Sequence, residues 1–400
     1  MPFTRPQLER YADVLIWGLT VARKKPFKPY DLILVRYDLE ALPLLETLYA
    51  RLIAQRRNVV VRAMPGPSME KSFFSLSDAA QRRFLAPFDM DLYARISGNI
   101  YLHAPSSLTH LKSIDTQRIN EFTISRKPLR DIANKREDAG AFTWTLCTYP
   151  TRALADQAQL SLREYAAQVA KACFLGDRDP VGRWNRIYAD VNGIKKRLNA
   201  LPIESVTVES ASCDLTIRFG EKRRFIGVSG RNIPSFEIFT SPDWREARGV
   251  YFADQASFRN GNYVEGVRLE FQKGRVVRVS AKKGGAFVKK TLSMDRGASQ
   301  IGEFSLTDRR FSKIDRFMAD TLFDENFGGR HGNCHIALGS SYADAFAGDP
   351  ATLTKSSKAS LGFNDSALHW DLVNTEKKRV TAALRGGGKT VIYENGMFAV

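Results

Sequence analysis

The chain predicts an α/β protein: an N-terminal parallel-sheet α/β domain over residues 1–200, then a mixed α+β, sheet-rich domain over 201–400. Three observations point there. Helix-period and strand-like segments alternate through the first half, the pattern of parallel strands joined by crossover helices. Beyond Pro202 the apolar residues change to period two, as in strands with one buried face. With 400 residues the chain is long enough for more than one core.

Taken in order, Leu8 to Val21 has the spacing of an amphipathic helix, and Asp31 to Tyr37 is a continuous apolar run of buried-strand type. Leu42 to Gln55 carries Leu44, Leu45, Leu48, Tyr49, Leu52 and Ile53 at helical period, and Asn58 to Arg62 is the next strand. A helix around Leu76 to Phe84, a strand at Gly98 to Leu102, a helix over Leu129 to Lys135 and a strand at Phe142 to Leu146 continue the alternation. Ala153 to Leu175 and Val181 to Leu198 read as two helices joined through Gly176 to Pro180. The boundary falls near 198–204. Beyond it, Val206–Val208, Leu215–Phe219, Val267–Phe271 and Val276–Val279 alternate in period two, with turns such as Lys273-Gly274 between them. No GxGxxG follows the first strand and no GxxxxGK[ST] occurs, so nucleotide binding has no support.

Composition narrows the function. A chain 44% hydrophobic and 26% charged is ordinary for a globular protein. Its longest apolar runs, such as Leu32 to Val35, are far too short to span a bilayer, so no membrane partner is expected. Arg5, Glu9, Arg10 and Asp13 interrupt any signal-peptide core, and a cytoplasmic location is expected. The four cysteines form no CxxC, which argues against a disulfide framework or a zinc knuckle. The net charge of +17 permits salt-sensitive association with nucleic acid. Yet the basic clusters, such as Lys195-Lys196-Arg197 and Lys222-Arg223-Arg224, are short and not interleaved with aromatics. A solvated basic face is the plain reading, and nucleic acid is not an expected partner.

The chemistry lies in the second half. His335 sits in Asn333-Cys334-His335-Ile336-Ala337-Leu338-Gly339 and His369 in His369-Trp370-Asp371. On a strand, His369 and Asp371 project from one face and can converge on one ion, although a simple imidazole–carboxylate hydrogen bond has the same spacing. By the same alternation, Cys334 points away from the face of His335. Glu237 lies among Phe236, Ile238 and Phe239, and Glu303 between Gly302 and Phe304. Carboxylates in such strands are costly unless a cation meets them. Asp324-Glu325-Asn326 is a further carboxylate source before Gly328-Gly329, with a solvated loop as the alternative.

Together these segments resemble the M29 family of metallo-aminopeptidases, the aminopeptidase T group. The resemblance rests on Asn232-Ile233-Pro234-Ser235-Phe236-Glu237-Ile238-Phe239-Thr240-Ser241-Pro242, Ile301-Gly302-Glu303, Asp324-Glu325-Asn326, Asn333 to Gly339, Tyr342 and His369-Trp370-Asp371 in one order. One departure is Phe236, where the family motif usually has Gly. The resemblance implies a homodimeric aminopeptidase acting on peptide substrates with two divalent ions of zinc, cobalt or manganese. It implies Glu237, Glu303, Glu325, His335, His369 and Asp371 as metal ligands, with Glu303 and Tyr342 as catalytic residues. Two rivals stand beside it. An iron(II) ring-cleaving dioxygenase of the same fold, of the dihydroxypyridine type, would use His335, His369 and Asp371 alone. A nucleic-acid-associated protein with a vestigial site is suggested only by charge.

Overall fold

The computed structural model describes residues 1–400. The chain divides into two compact units, neither continuous in sequence: 1–187 with 228–235 and 318–322, and 188–227 with 236–317 and 323–400.

The first unit is built on α1 (Arg5–Val21), β1 (Leu32–Tyr37), α2 (Leu42–Ala54), β2 (Asn58–Ala63), β3 (Gly98–His103) and β4 (Thr143–Thr148). The sheet order is β2-β1-β3-β4, closed by the short strand Asn232–Ile233, and every pairing is parallel. Ile33, Leu34 and Val35 are fully buried, as a strand covered on both faces requires. Helix α1 buries Leu8, Tyr11, Ala12, Leu15 and Leu19, and α2 buries Leu44, Leu45, Leu48 and Leu52, the stripes their periodicity marked. At Gly18 an added Cβ would lie 2.6 Å from the carbonyl oxygen of Gly230, so only glycine lets α1 approach that segment.

Polar side chains collect past the carboxyl ends of β1 and β3. Asp38 accepts from the Ala104 N–H (2.7 Å) and the Tyr101 hydroxyl (3.1 Å), and the Nδ1 of His103 lies 3.3 Å away. Although burial opposes it, His103 and the Ala104 N–H hold Asp38 below the usual carboxylate range, and Asp38 in turn raises His103 against the same burial. Nearby, Thr148 donates to Asp320, and the Tyr165 hydroxyl donates to the Met318 carbonyl (3.0 Å), drawing in the 318–322 segment.

Two helical expectations are corrected. The run Leu76 to Phe84 is the end of one helix, Pro67–Leu76, and all of another, Ala79–Arg83. Ser77 is extended between them and Asp78 caps the second through the Gln81 N–H (2.8 Å), a local bond that competes with helix continuation. Ala153 to Leu175 is likewise two helices, Arg152–Gln157 and Leu162–Ala172, separated where Gln159 turns left-handed and Ser161 caps the second helix with Glu164. Two further helices, Pro87–Arg95 and Thr116–Ser125, were not anticipated; the first has no fully buried residue, and its Leu92 and Tyr93 pack half-buried against Leu34, Ile96 and Phe142.

The second unit holds three antiparallel sheets, the smallest the two-stranded pair Ser257–Arg259 and Asn262–Val264. The eight-stranded sheet has Ile203–Ser210 and Lys378–Leu384 paired at its centre, with Val267–Gln272 and Arg275–Ser280 toward one end and Lys389–Glu394 toward the other. The turn between Val267–Gln272 and Arg275–Ser280 puts Lys273 and Gly274 at positive φ, as the dipeptide suggested. The five-stranded sheet runs, in order, His369–Asn374, Asn333–Gly339, Ile301–Thr307, Glu237–Thr240 and Ile226–Gly227. No helix in the chain is long and apolar enough to cross a membrane.

Candidate metal centre

The five-stranded sheet gathers residues that are far apart in sequence. Every residue of Ile301–Thr307 and Asn333–Gly339 is buried, so each strand is apolar throughout except where it presents chemistry. Register then fixes which groups meet. Thr307 stands opposite Glu237, Ser305 opposite His335, Ala337 opposite Glu303 on one side and Asp371 on the other, and Gly339 opposite His369. Cross-strand partners share a face, so Glu237, Glu303, His335, His369 and Asp371 all project from the same side. A register shift between Ile301 and Glu303 ends this regular pairing, so that Ile301 stands opposite Leu338. It depends on Gly302, where a Cβ would lie 2.3 Å from the carbonyl oxygens of both Gly339 and Ser340.

The result is a packed ionisable cluster. His335 Nε2 lies 3.2 Å from Glu303 Oε1, 3.5 Å from Glu237 Oε2 and 3.9 Å from Asp371 Oδ1. His369 Nε2 lies 3.7 Å from Glu303 Oε2 and 3.4 Å from Asp371 Oδ1. Glu237, Glu303 and His335 are 7%, 3% and 1% exposed. The Nδ1 of His369 is 3.0 Å from the Ser340 carbonyl, which as acceptor keeps the Nδ1 proton in place and turns Nε2 toward the carboxylates. Ser305 donates to Glu237 Oε2 (3.3 Å).

Burial and the adjacent charge of Glu303 push Glu237 up to about 7. Burial works against the imidazolium forms, yet the carboxylates outweigh it: His335 rises to about 9 beside Glu303, Glu237 and Asp371, and His369 to about 9 beside Asp371 and Glu303. Asp371, despite burial, is held at about 2 by His369, His335 and Arg259. The cluster thus binds protons wherever it can, the behaviour of a buried anionic site that wants cations. Its donor set suits a divalent ion: single ligand atoms of Glu237, Glu303 and His335 all lie within 4.8 Å of one another, and carboxylate with imidazole is a set that zinc, cobalt and manganese accept.

Tyr342 lies at the rim, its ring 5.0 Å from that of His369 and 5.8 Å from Phe239. Withdrawal from water and the nearby carboxylates, Glu303 first, keep its phenol protonated. Glu325 is buried on the segment before Asn333; its carboxylate lies 3.5 Å from Asn326 Nδ2, and its charge reaches Tyr342. Cys334 faces away from the cluster, among Cys213, Tyr251 and Lys378.

Sequence reasoning did not find Ser305, Ser340 or the segment that borders the edge strand His369–Asn374. Along that edge the Gln255 N–H donates to the Val373 carbonyl (3.3 Å), Trp370 Nε1 to Ser257 Oγ (3.2 Å) and Arg259 Nη1 to the His369 carbonyl (3.0 Å). Ser305 was within reach, since it follows Glu303 by two on the same face. Nothing local to Arg259 announces a contact with a strand 110 residues later.

Known proteins resemble this chain along most of its length. The family model described as "Thermophilic metalloprotease (M29)" matches residues 4–398. Aminopeptidase PepS of Streptococcus thermophilus is 28% identical over 246 residues, a match spanning 58% of this chain and 58% of that protein. Aminopeptidase 2 of Geobacillus stearothermophilus is 27% identical over 318 residues, covering 74% and 75%. The solved structure titled "Wild-type AmpT from Thermus thermophilus" superposes with a TM-score of 0.82 at 19% identity, over 98% of this chain and 99% of that one, a likeness of fold. The dioxygenase alternative draws no support from these matches.

Proposed function

Because the chain belongs to the thermophilic metalloprotease (M29) family, we propose that it is a metal-dependent aminopeptidase removing the N-terminal residue of peptides. The observation that carries this reading is the buried group of Glu237, Glu303, Asp371, His335 and His369, with the Nε2 atoms and carboxylate oxygens turned toward one another. With Glu325 these residues would hold two divalent ions, zinc, cobalt or manganese. When bound, such ions supply an acidified water and a polarised scissile carbonyl.

The chain's own groups do the rest. Glu303 turns Oε1 to His335 (3.2 Å) and Oε2 to His369 (3.7 Å), so one carboxylate spans both halves of the cluster. We place the proton of the attacking water on it. Tyr342, kept protonated at the rim, donates its hydroxyl proton in a hydrogen bond to the oxygen that becomes negative on attack. Ser340 holds His369 in the tautomer this requires. A concentration of carboxylates attracts the free ammonium of a peptide, which favours cleavage next to the N-terminus. All these residues fall within 201–400, so we assign catalysis to that part of the chain and a supporting role to 1–200. We expect a homodimer, which light scattering reads directly.

The test is a panel of aminoacyl anilides and their N-acetylated counterparts, assayed with metal content measured on the same protein. Chelation should abolish turnover, divalent ions should restore it, and acetylation should block it. Turnover that persists in metal-free protein, or equal cleavage of acetylated substrates, would overturn the assignment.

A further inference from the structure

Arg259 is a half-buried cation whose donors are mostly unused. Of its guanidinium nitrogens only Nη1 makes a hydrogen bond, to the His369 carbonyl at 3.0 Å. Its Nε is buried with no partner. The guanidinium carbon stands 5.5 Å from the centre of the Trp370 ring, and no carboxylate comes within ion-pair distance, although the charge of Asp371 acts on it. Asp371 is already engaged by His369 at 3.4 Å and His335 at 3.9 Å.

The same unit shows how a buried guanidinium is satisfied when its role is structural. Arg223 donates from Nε to the Ser241 carbonyl (2.6 Å), from Nη1 to that of Glu221 (2.9 Å) and from Nη2 to that of Leu361 (2.7 Å), with its face 3.5 Å from the Phe363 ring. Arg259 has the ring and one carbonyl, and lacks the rest. A planar fork with free donors matches a carboxylate better than any other group a peptide offers. The Arg259 Nε, buried without a partner, is costly to withdraw from water. Its position narrows the ligand further. Arg259 borders the strand that carries His369 and Asp371, and one residue of extended peptide reaches only about 3.5 Å beyond the bond being cut.

We infer that Arg259 binds a carboxylate of the substrate, namely the free α-carboxylate of the residue that leaves, and so makes dipeptides the preferred substrates. This rests on the aminopeptidase reading and adds a specificity to it. The Trp370 face and the His369 carbonyl fix the guanidinium plane, so the fork is set before substrate arrives.

The experiment compares alanylalanine, its C-terminal amide and the amide of alanylglutamate on the wild-type protein, Arg259→Met and Arg259→Lys, each first checked for a cooperative melt. The wild type should favour alanylalanine over its amide by about tenfold or more in kcat/KM, the scale of one lost charge-assisted hydrogen bond. Arg259→Met should collapse that ratio toward one, mainly through KM, and Arg259→Lys should keep part of it. Calorimetry of free alanine against alaninamide on the wild type should show the same order of affinity without turnover. A wild type indifferent to the amide, or a methionine variant that keeps the preference, overturns the inference. A preference for alanylglutamate amide over alanylalanine overturns its assignment to the free terminus. If the methionine variant does not fold, the wild-type ratio and the lysine variant decide. Alanyl anilide, which has no carboxylate, separates the two levels: chelator-sensitive cleavage of it supports aminopeptidase activity whatever Arg259 does.

Discussion

Replacing Glu303 with Gln should remove activity and leave the metal-free fold about as stable as before, and the reason is a near-cancellation. One pKa unit corresponds to about 1.4 kcal/mol. Glu237 is pushed from 4.5 to about 7, first by burial and then by Glu303, a folding penalty of ~3 kcal/mol once it ionises. That penalty grows as pH rises from 4.5 through about 7, and Glu303→Gln would relieve the share of it that the Glu303 charge causes. His335 is moved the other way in stability: raised from 6.5 to about 9 against burial, with the Glu303 hydrogen bond the leading favourable cause. Its contribution is fully present below 6.5 and is lost as pH rises through about 9, and the substitution removes part of that as well. At pH 8 the two changes oppose one another, so the net should be within about 1 kcal/mol, or roughly 2–4 °C in melting temperature. Turnover should fall by at least about a hundredfold, because even outer partners of metal ligands cost 10–100-fold. Differential scanning calorimetry on chelated protein, alongside anilide kinetics with metal restored, reads both numbers. Wild-type turnover by the variant would refute Glu303 as a ligand, and loss of the cooperative melt would refute the cancellation.

Two further perturbations test the scaffold. Gly302→Ala puts a Cβ 2.3 Å from two carbonyl oxygens in the shifted register beside Glu303, so about 1–3 kcal/mol of stability should be lost together with metal affinity; an unchanged melt in calorimetry would contradict that packing. Asp38→Asn should cost the first unit about 1–2 kcal/mol near pH 5–6. The depressed Asp38 stabilises above its ordinary 3.8 and loses this as pH falls through its lower folded value; the raised His103 stabilises below 6.5 and loses it as pH rises. The difference between wild type and variant in urea melts should therefore narrow on both sides of that window, and a pH-independent difference would contradict the pairing.

Much of this was legible in the sequence, for reasons that differ from element to element. Leu32–Val35 could hardly be other than a covered strand, since it has no polar residue to turn outward. Glu237 and Glu303 stood out because carboxylates among phenylalanines demand a partner, and His369 with Asp371 because alternation puts them on one face. The meeting of these strands was not legible: it depends on which residues pair, and the register that puts Glu303 opposite Ala337, broken just before it at Gly302, leaves no local sign beyond a glycine. The breaks at Ser77 and Gln159 were missed because apolar residues continue across them while capping side chains end the helices. Arg259 was silent, since its significance lies in the hydrogen bonds it does not make.

The interleaving of the two units has a consequence for synthesis. The first unit takes its fifth strand from Asn232–Ile233 and the partner of Thr148, Asp320, from a segment most of the way along the chain. A ribosome releases residues in order, and domains usually settle as soon as their own residues emerge. Here the amino-terminal unit must wait: with 200 residues made, β4 still has an unpaired edge and Tyr165 lacks the Met318 carbonyl that its hydroxyl meets in the finished protein. An exposed edge strand of that kind pairs readily with other chains. The nascent protein should accordingly depend on protection until residue 322 has left the tunnel, and a fragment ending near 200 should aggregate where the whole chain does not.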